Sequence, residues 1–99
     1  MAMQSSIDYV GRFIKDPSTT RPYTQDWSKY LADIDDQISS VSFTVEAGLT
    51  KGAVSNTATN ATVVLSGGTA GVSYDVTCQI TTVGGVIDER TAQFLVQSR

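Results

Sequence analysis

Apolar and polar residues alternate along several short stretches of the chain, most regularly over residues 73–81. Four apolar residues stand between the polar ones of this stretch: Tyr74, Val76, Cys78 and Ile80. Because successive side chains of a β-strand point to opposite faces of the sheet, a period of two places all four on one face. The pattern predicts a strand with one face in a core and the other in water.

Residues 38–46, 61–65 and 92–96 alternate in the same way and predict three further strands. We expect Gly48-Leu49-Thr50 to turn the chain into a short linking segment, and Gly84-Gly85 to supply the two positive-φ positions of a tight hairpin turn. The residues predicted to face inward in these three strands are Val41, Phe43, Val45, Ala61, Val63, Leu65, Ala92, Phe94 and Val96.

The composition of positions 38–97 also favours strands, because β-branched and small polar residues dominate there. The one helical candidate, residues 28–36, is short, and a turn would account for it equally well. A chain of 99 residues accommodates one sandwich of about seven short strands. The sequence therefore predicts a single all-β domain.

A glycine-rich turn precedes the most regular strand, and Tyr74 stands near the start of that strand. This arrangement is similar to the tyrosine corner of immunoglobulin-like and fibronectin type III domains, in which a tyrosine hydroxyl bonds to the backbone of the preceding loop. We therefore predict an immunoglobulin/fibronectin III-like β-sandwich and give Tyr74 an architectural role.

Residues 1–37 differ from the rest of the chain, since they contain both prolines and show little sustained period. Proline excludes helix at its own position and at the residue before it, so residues 16–22, which contain Pro17 and Pro22, are predicted to form a turn followed by an extended segment. We expect residues 1–37 to form an N-terminal arm and a first edge segment, and residues 38–99 to form the core of the sandwich. Pro22 and its neighbour Arg21 are candidates for contact with a partner.

An aromatic cluster lies in the same segment, where Tyr23 and Tyr30 flank Trp27, the only tryptophan. Exposed aromatic side chains are enriched at the centres of binding surfaces, whereas buried ones fill the end of a sandwich. Both interpretations stay open, with a slight preference for Trp27 packing on its own domain. The three aromatic residues are accordingly structural or interaction candidates.

Groups that carry catalysis are scarce in this sequence. It has no histidine, no phosphate-binding loop and one cysteine, Cys78, which the alternation places among buried residues. The acidic run that begins at Asp33 lacks the glycine and the final acid of a calcium loop, because Ile38 and Thr44 stand at those positions. We expect no enzyme activity, no cofactor and no metal site, and we interpret Asp88-Glu89-Arg90 as a solvated strand end.

The charge balance is acidic, with a net charge of −3 and a pI near 4.5. Lysine and arginine are few and scattered, which argues against a nucleic-acid surface. No run approaches the ~20 apolar residues of a membrane span, and the first residues lack the apolar core of a secretion signal, so we expect no membrane partner and synthesis in the cytoplasm. A domain this small buries little more than ~60% of its unfolded surface, which makes assembly with a partner plausible.

Many short motifs occur in a fixed order between about Lys15 and Val96. They include Lys15-Asp16-Pro17, Asp26-Trp27, Ile38-Ser39-Ser40-Val41, Gly48-Leu49-Thr50, Leu65-Ser66-Gly67-Gly68-Thr69-Ala70-Gly71, Gly84-Gly85 and Asp88-Glu89-Arg90. In this order they resemble small virion proteins of tailed bacteriophages, the fibre-tail adaptors.

The resemblance implies a non-enzymatic part of the virion that joins tail fibres to the tail or to the head–tail connector. Its partners would then be other virion proteins, such as tail, adaptor or fibre subunits, and it would occur as a homo-oligomeric ring or in multiple copies. Two alternatives remain: a protein that decorates the capsid or tail, and a carbohydrate-binding adhesive module of immunoglobulin-like fold.

Overall fold

The computed structural model of the protein describes residues 9–98. They form seven strands and one short helix, so the predicted all-β class is confirmed. The elements are β1 (Tyr9–Lys15), β2 (Thr20–Asp26), α1 (Ser28–Ile34), β3 (Ile38–Val45), β4 (Leu49–Asn56), β5 (Asn60–Gly67), β6 (Ser73–Thr82) and β7 (Ile87–Val96).

The strands form two sheets that pack face to face as a sandwich. One sheet has four strands in the order β1-β7-β6-β3, and the other has three in the order β2-β5-β4. Neighbouring strands are antiparallel except β1 and β7, which run parallel from Tyr9 opposite Thr91 to Lys15 opposite Val96. The first and last strands of the described chain are therefore hydrogen-bonded to each other.

Most of this topology follows the order of immunoglobulin domains. If the strands are lettered A to G along the chain, the smaller sheet has the order B-E-D and the larger contains G-F-C. The first strand departs from the constant-type arrangement, in which A joins B, because β1 pairs with β7. The two-sheet sandwich is confirmed, and its membership of the immunoglobulin-like class stays a prediction.

The core lies between the sheets, and most of its residues are the ones that the alternation predicted. The positions of β5, β6 and β7 that were predicted to face inward are all buried, as is Phe43 of β3, while Val41 and Val45 are half-buried. Cys78 is only 1% exposed, so its predicted burial is confirmed. Period-two alternation was therefore a sufficient signal for the central strands.

Tyr74 fixes the turn that leads into β6. Its hydroxyl oxygen accepts a hydrogen bond from the Thr69 N–H at 2.9 Å, which is the geometry of a tyrosine corner. Gly48, at φ +107°, allows the close approach of this ring, because a β-carbon there would lie 2.8 Å from a carbon of Tyr74. The residue thus ties two loops of one end of the sandwich together.

The segment after Gly48 is longer and more regular than predicted. It is the strand β4, in which only Leu49 is buried, so its side chains gave no alternating signal. The hairpin turn also differs, since Gly85 has a positive φ of +91° and Gly84 does not. Glycine is required at position 84 because the Asp36 side chain approaches its backbone closely: a β-carbon there would lie 2.7 Å from a carboxylate oxygen of Asp36.

The described part of the predicted N-terminal arm lies within the sandwich. Strands β1 and β2 are edge strands of opposite sheets, and they contribute core residues, so from residue 9 onward this segment is not a free arm. Its period was hidden because Lys15, Arg21 and Gln25 stand at inward positions, opposite Val96, Leu65 and Ala61. Residues 1–8 lie outside the described part.

The short helix α1 follows β2 directly and ends at Asp35, which adopts a left-handed conformation with φ +50°. Leu31 is its buried residue. Within the described residues, no helix has the length and apolar character needed to cross a bilayer.

Candidate interaction surfaces

Trp27 lies at the end of β2 and is completely buried. The guanidinium of Arg90 stacks on its ring, 4.2 Å from the ring centre, and the Tyr30 ring meets it edge-on at 5.4 Å. A cation over an aromatic face is attracted to the electrons of the ring. Trp27 therefore fills the end of its own domain, and the residues that pack on it, Tyr30 and Arg90, are half-buried.

Arg90 and Asp88 belong to this cluster and are not merely a solvated strand end. Both occupy the same face of β7 as the buried Ala92. The Asp88 carboxylate, as hydrogen-bond partner and as a negative charge, raises the pKa of the Tyr30 hydroxyl. Continuing the alternation of β7 back from Ala92 would have placed these two residues inward, and that was the missed signal.

Cys78 lies near the Trp27 indole within the core. Burial raises the pKa of its thiol. The indole nitrogen itself is buried with no hydrogen-bond partner. Since the thiolate is the reactive form of cysteine, this environment makes Cys78 a poor nucleophile.

Tyr23 belongs to a second aromatic group, between β1, β2 and β7. The centre of its ring lies 5.3 Å from the ring centre of Phe13 and 5.2 Å from that of Phe94, and the ring centres of Phe13 and Phe94 are 5.1 Å apart. Its hydroxyl donates to Oε1 of Gln25 at 2.8 Å, and burial raises its pKa to about 12. Tyr23 is therefore a packing residue.

Lys15 is fully buried at the end of β1, which sequence reasoning did not foresee. Its Nζ donates to the carbonyl oxygens of Gly67 at 2.8 Å and Asp16 at 3.0 Å, while desolvation lowers its pKa. A buried ammonium group is stable only when hydrogen-bonded, and here the bonds join the end of β1 to the end of β5 in the other sheet. Lys15 thus holds the two sheets together at this end.

Arg21 and Pro22 lie on the edge strand β2. Arg21 is half-buried, and its Nη1 donates to the carbonyl oxygen of Ile14 at 3.4 Å, while Pro22 is exposed. Proline on an edge strand removes an N–H that another strand could bind. Pro22 therefore helps to protect this edge against strand addition, and both residues remain interaction candidates through their exposed atoms.

Asp36, in the turn after α1, serves as a hydrogen-bond acceptor. The Asp36 carboxylate interacts with the Thr82 hydroxyl and with the backbone N–H groups of Gln37 and Gly84, which lowers its pKa. Among residues 9–98 no group of three or more His, Cys, Asp or Glu side chains is placed to hold a metal ion. Asp36 therefore anchors the hairpin between β6 and β7 to the turn after α1.

A family model described as "Podophage GP4 fiber-tail adaptor protein gp77" matches residues 15–95. The chain belongs to this fibre-tail adaptor family. The matched range runs from the end of β1 almost to the end of β7, so it takes in nearly the whole sandwich. The predicted resemblance is confirmed, and adaptor membership makes the protein a phage tail component that contacts other tail proteins. No curated protein matches the chain.

Proposed function

We propose that this protein is a non-enzymatic joint of the virion that connects tail fibres to the tail or head–tail connector. The observation that carries the proposal is the match to the fibre-tail adaptor family over 81 of the 99 residues, from 15 to 95. It acts by binding, with its sandwich as a rigid spacer between larger subunits.

The packing of the domain supports a joint more than an adhesive module. All eight aromatic residues lie in the described part of the chain, and each of them is buried or half-buried. Carbohydrate-binding sandwiches typically present an exposed aromatic side chain on which a sugar ring stacks. The aromatic candidates Tyr23 and Trp27 serve the core instead.

The test is the number of copies per purified phage particle, measured by quantitative mass spectrometry with the major capsid and tail proteins as internal standards. A closed ring at the tail gives about six to a dozen copies, whereas a capsid lattice gives hundreds. We expect the low number, together with labelling of the tail by an antibody in electron micrographs.

Two results would overturn the joint. Hundreds of copies per particle with label on the head would make the protein a capsid decoration. Absence from washed particles would show that the protein is not a virion component and would favour the adhesive module.

A further inference from the structure

The end of the sandwich that carries α1 exposes apolar side chains that the core does not use. Four of the eight large apolar residues exposed in the described chain lie there, on α1 and on the hairpin between β6 and β7. Val83 is 71% exposed and Ile87 is 64% exposed. We call this set the hairpin surface; its members are Ile34, Val83, Val86 and Ile87.

The backbone beneath the hairpin surface is fixed by hydrogen bonds. The Thr82 N–H donates to the Val86 carbonyl oxygen at 2.8 Å, and the Val86 N–H donates to Oγ1 of Thr82 at 2.9 Å. The Val83 N–H donates to the carbonyl oxygen of Gln37 at 2.9 Å, which joins the hairpin to the turn after α1. These hydrogen bonds therefore fix the conformation of the loop, whose apolar side chains are exposed at the surface.

Acidic residues lie beside this surface in the chain. Four of the ten acidic residues flank it on α1, the turn after it and the start of β7, outside the Trp27 cluster: Asp33, Asp35, Asp36 and Glu89. The basic residues of these elements are Lys29 and Arg90, and Arg90 is stacked on Trp27. The hairpin surface thus combines an apolar centre with a negative rim.

We propose that the hairpin surface binds another virion protein, one whose contact area is apolar at its centre and rimmed by lysine and arginine. This inference rests on the proposed function and names the surface that performs it. Exposed apolar groups gain free energy when a partner removes them from water, and opposite charges select that partner. A second copy of this chain is disfavoured on the same surface because it would bring two negative rims together.

The test uses phage particles assembled with a plasmid-supplied variant in place of the phage-encoded protein. The variant Val83→Ser with Ile87→Ser removes the two most exposed apolar side chains of the surface. A matched control, Val10→Ser with Ile14→Ser, removes a valine and an isoleucine that are 46% and 45% exposed on β1. Circular dichroism and thermal unfolding of each purified variant check that the fold is retained.

We expect the copy number per particle to fall about tenfold for the hairpin variant and to stay at the wild-type value for the control. A second variant, Asp33→Lys with Glu89→Lys, tests the rim and should also lower incorporation. Wild-type incorporation of the folded hairpin variant would overturn the inference while leaving the proposed function intact.

Two other outcomes identify a different error. If the purified wild-type chain forms a dimer that Val83→Ser dissociates, a second copy covers the surface and the heterologous partner is wrong. If the wild-type protein is missing from the particles, the proposed function fails together with this inference.

Discussion

The two lateral sides of the sandwich are closed by different means. On the side formed by β1 and β2, three aromatic rings fill the space between the sheets, with their centres within 5.3 Å of one another. On the same side, Lys15 of one sheet donates a hydrogen bond to Gly67 of the other. On the side formed by β3 and β4, the side chain of Lys51 links the two sheets, since its Nζ donates to the Phe43 carbonyl oxygen at 3.1 Å.

The difference shows that a strand can be ordered with very little side-chain burial. Leu49 is the only buried residue of β4, and Val54, which faces inward opposite Val63, is 39% exposed. Its order comes from pairing with β5. The β1–β2 side, by contrast, depends on its buried rings, so the two sides should respond differently to the loss of a side chain.

The largest effect is expected at the β1–β2 side. Phe94→Ala removes a fully buried ring that contacts two other aromatics, and it should lower the free energy of unfolding by about 3–5 kcal/mol. Val54→Ala at the β3–β4 side should lower it by less than about 1 kcal/mol. Urea unfolding of both variants measures the two values, and equal losses would show that the sides are not closed differently.

A smaller effect is expected for Tyr23→Phe, which keeps the ring and removes the hydrogen bond to Gln25. At neutral pH the loss should be on the order of 1 kcal/mol.

The same variant should change how stability depends on pH. Burial raises the pKa of Tyr23 from 10.0 to about 12, so the neutral form is favoured by folding. This contribution is fully present below pH 10 and is lost as the pH rises from 10 to about 12, because the unfolded chain loses the proton first. Between pH 9 and 12 the free energy of unfolding should therefore fall less steeply for Tyr23→Phe than for the wild type. An equal fall in both proteins would contradict the buried placement of Tyr23.

The smallest change in stability is expected for Lys51→Ala, below about 1 kcal/mol, because the side chain is exposed. Its consequence should be self-association. Residues 38–45 of the edge strand β3 carry no charge and no proline, and charged side chains are a common protection of such edges. Sedimentation velocity should detect oligomers of Lys51→Ala, whereas Lys29→Ala on α1 should stay at the wild-type state. If Lys51→Ala stays monomeric, the charge of Lys51 is not what prevents the β3 edge from pairing with another chain.

The sequence predicted the central strands because their burial follows a strict period of two, as in Tyr74 to Ile80. It failed for β1, β2 and β4, whose inward positions include Lys15, Arg21 and Lys51. A polar residue at an inward position looks like a solvent-facing one until its partner is known. For Lys15 that partner is the carbonyl oxygen of Gly67, 52 residues away, and no local pattern reveals it.

The interaction candidates were limited by the same difficulty. Tyr23 and Trp27 were named from their residue types, and the structure places both in the core. The hairpin surface has no comparable signal in the sequence, where Gly84-Gly85 predicts only a turn. The conformation of the hairpin depends on Asp36 and Gln37, which bond to it from another part of the chain.

The parallel pairing of β1 with β7 has a mechanical consequence. A force that pulls the start of β1 away from the end of β7 acts along the two strands, because these points lie at opposite ends of the sandwich. Such a load shears the hydrogen bonds of the pair together, whereas a load across the strands would open them one after another. Rupture under tension is governed by the unfolding rate, so this geometry favours slow rupture when the domain is stretched along its strands.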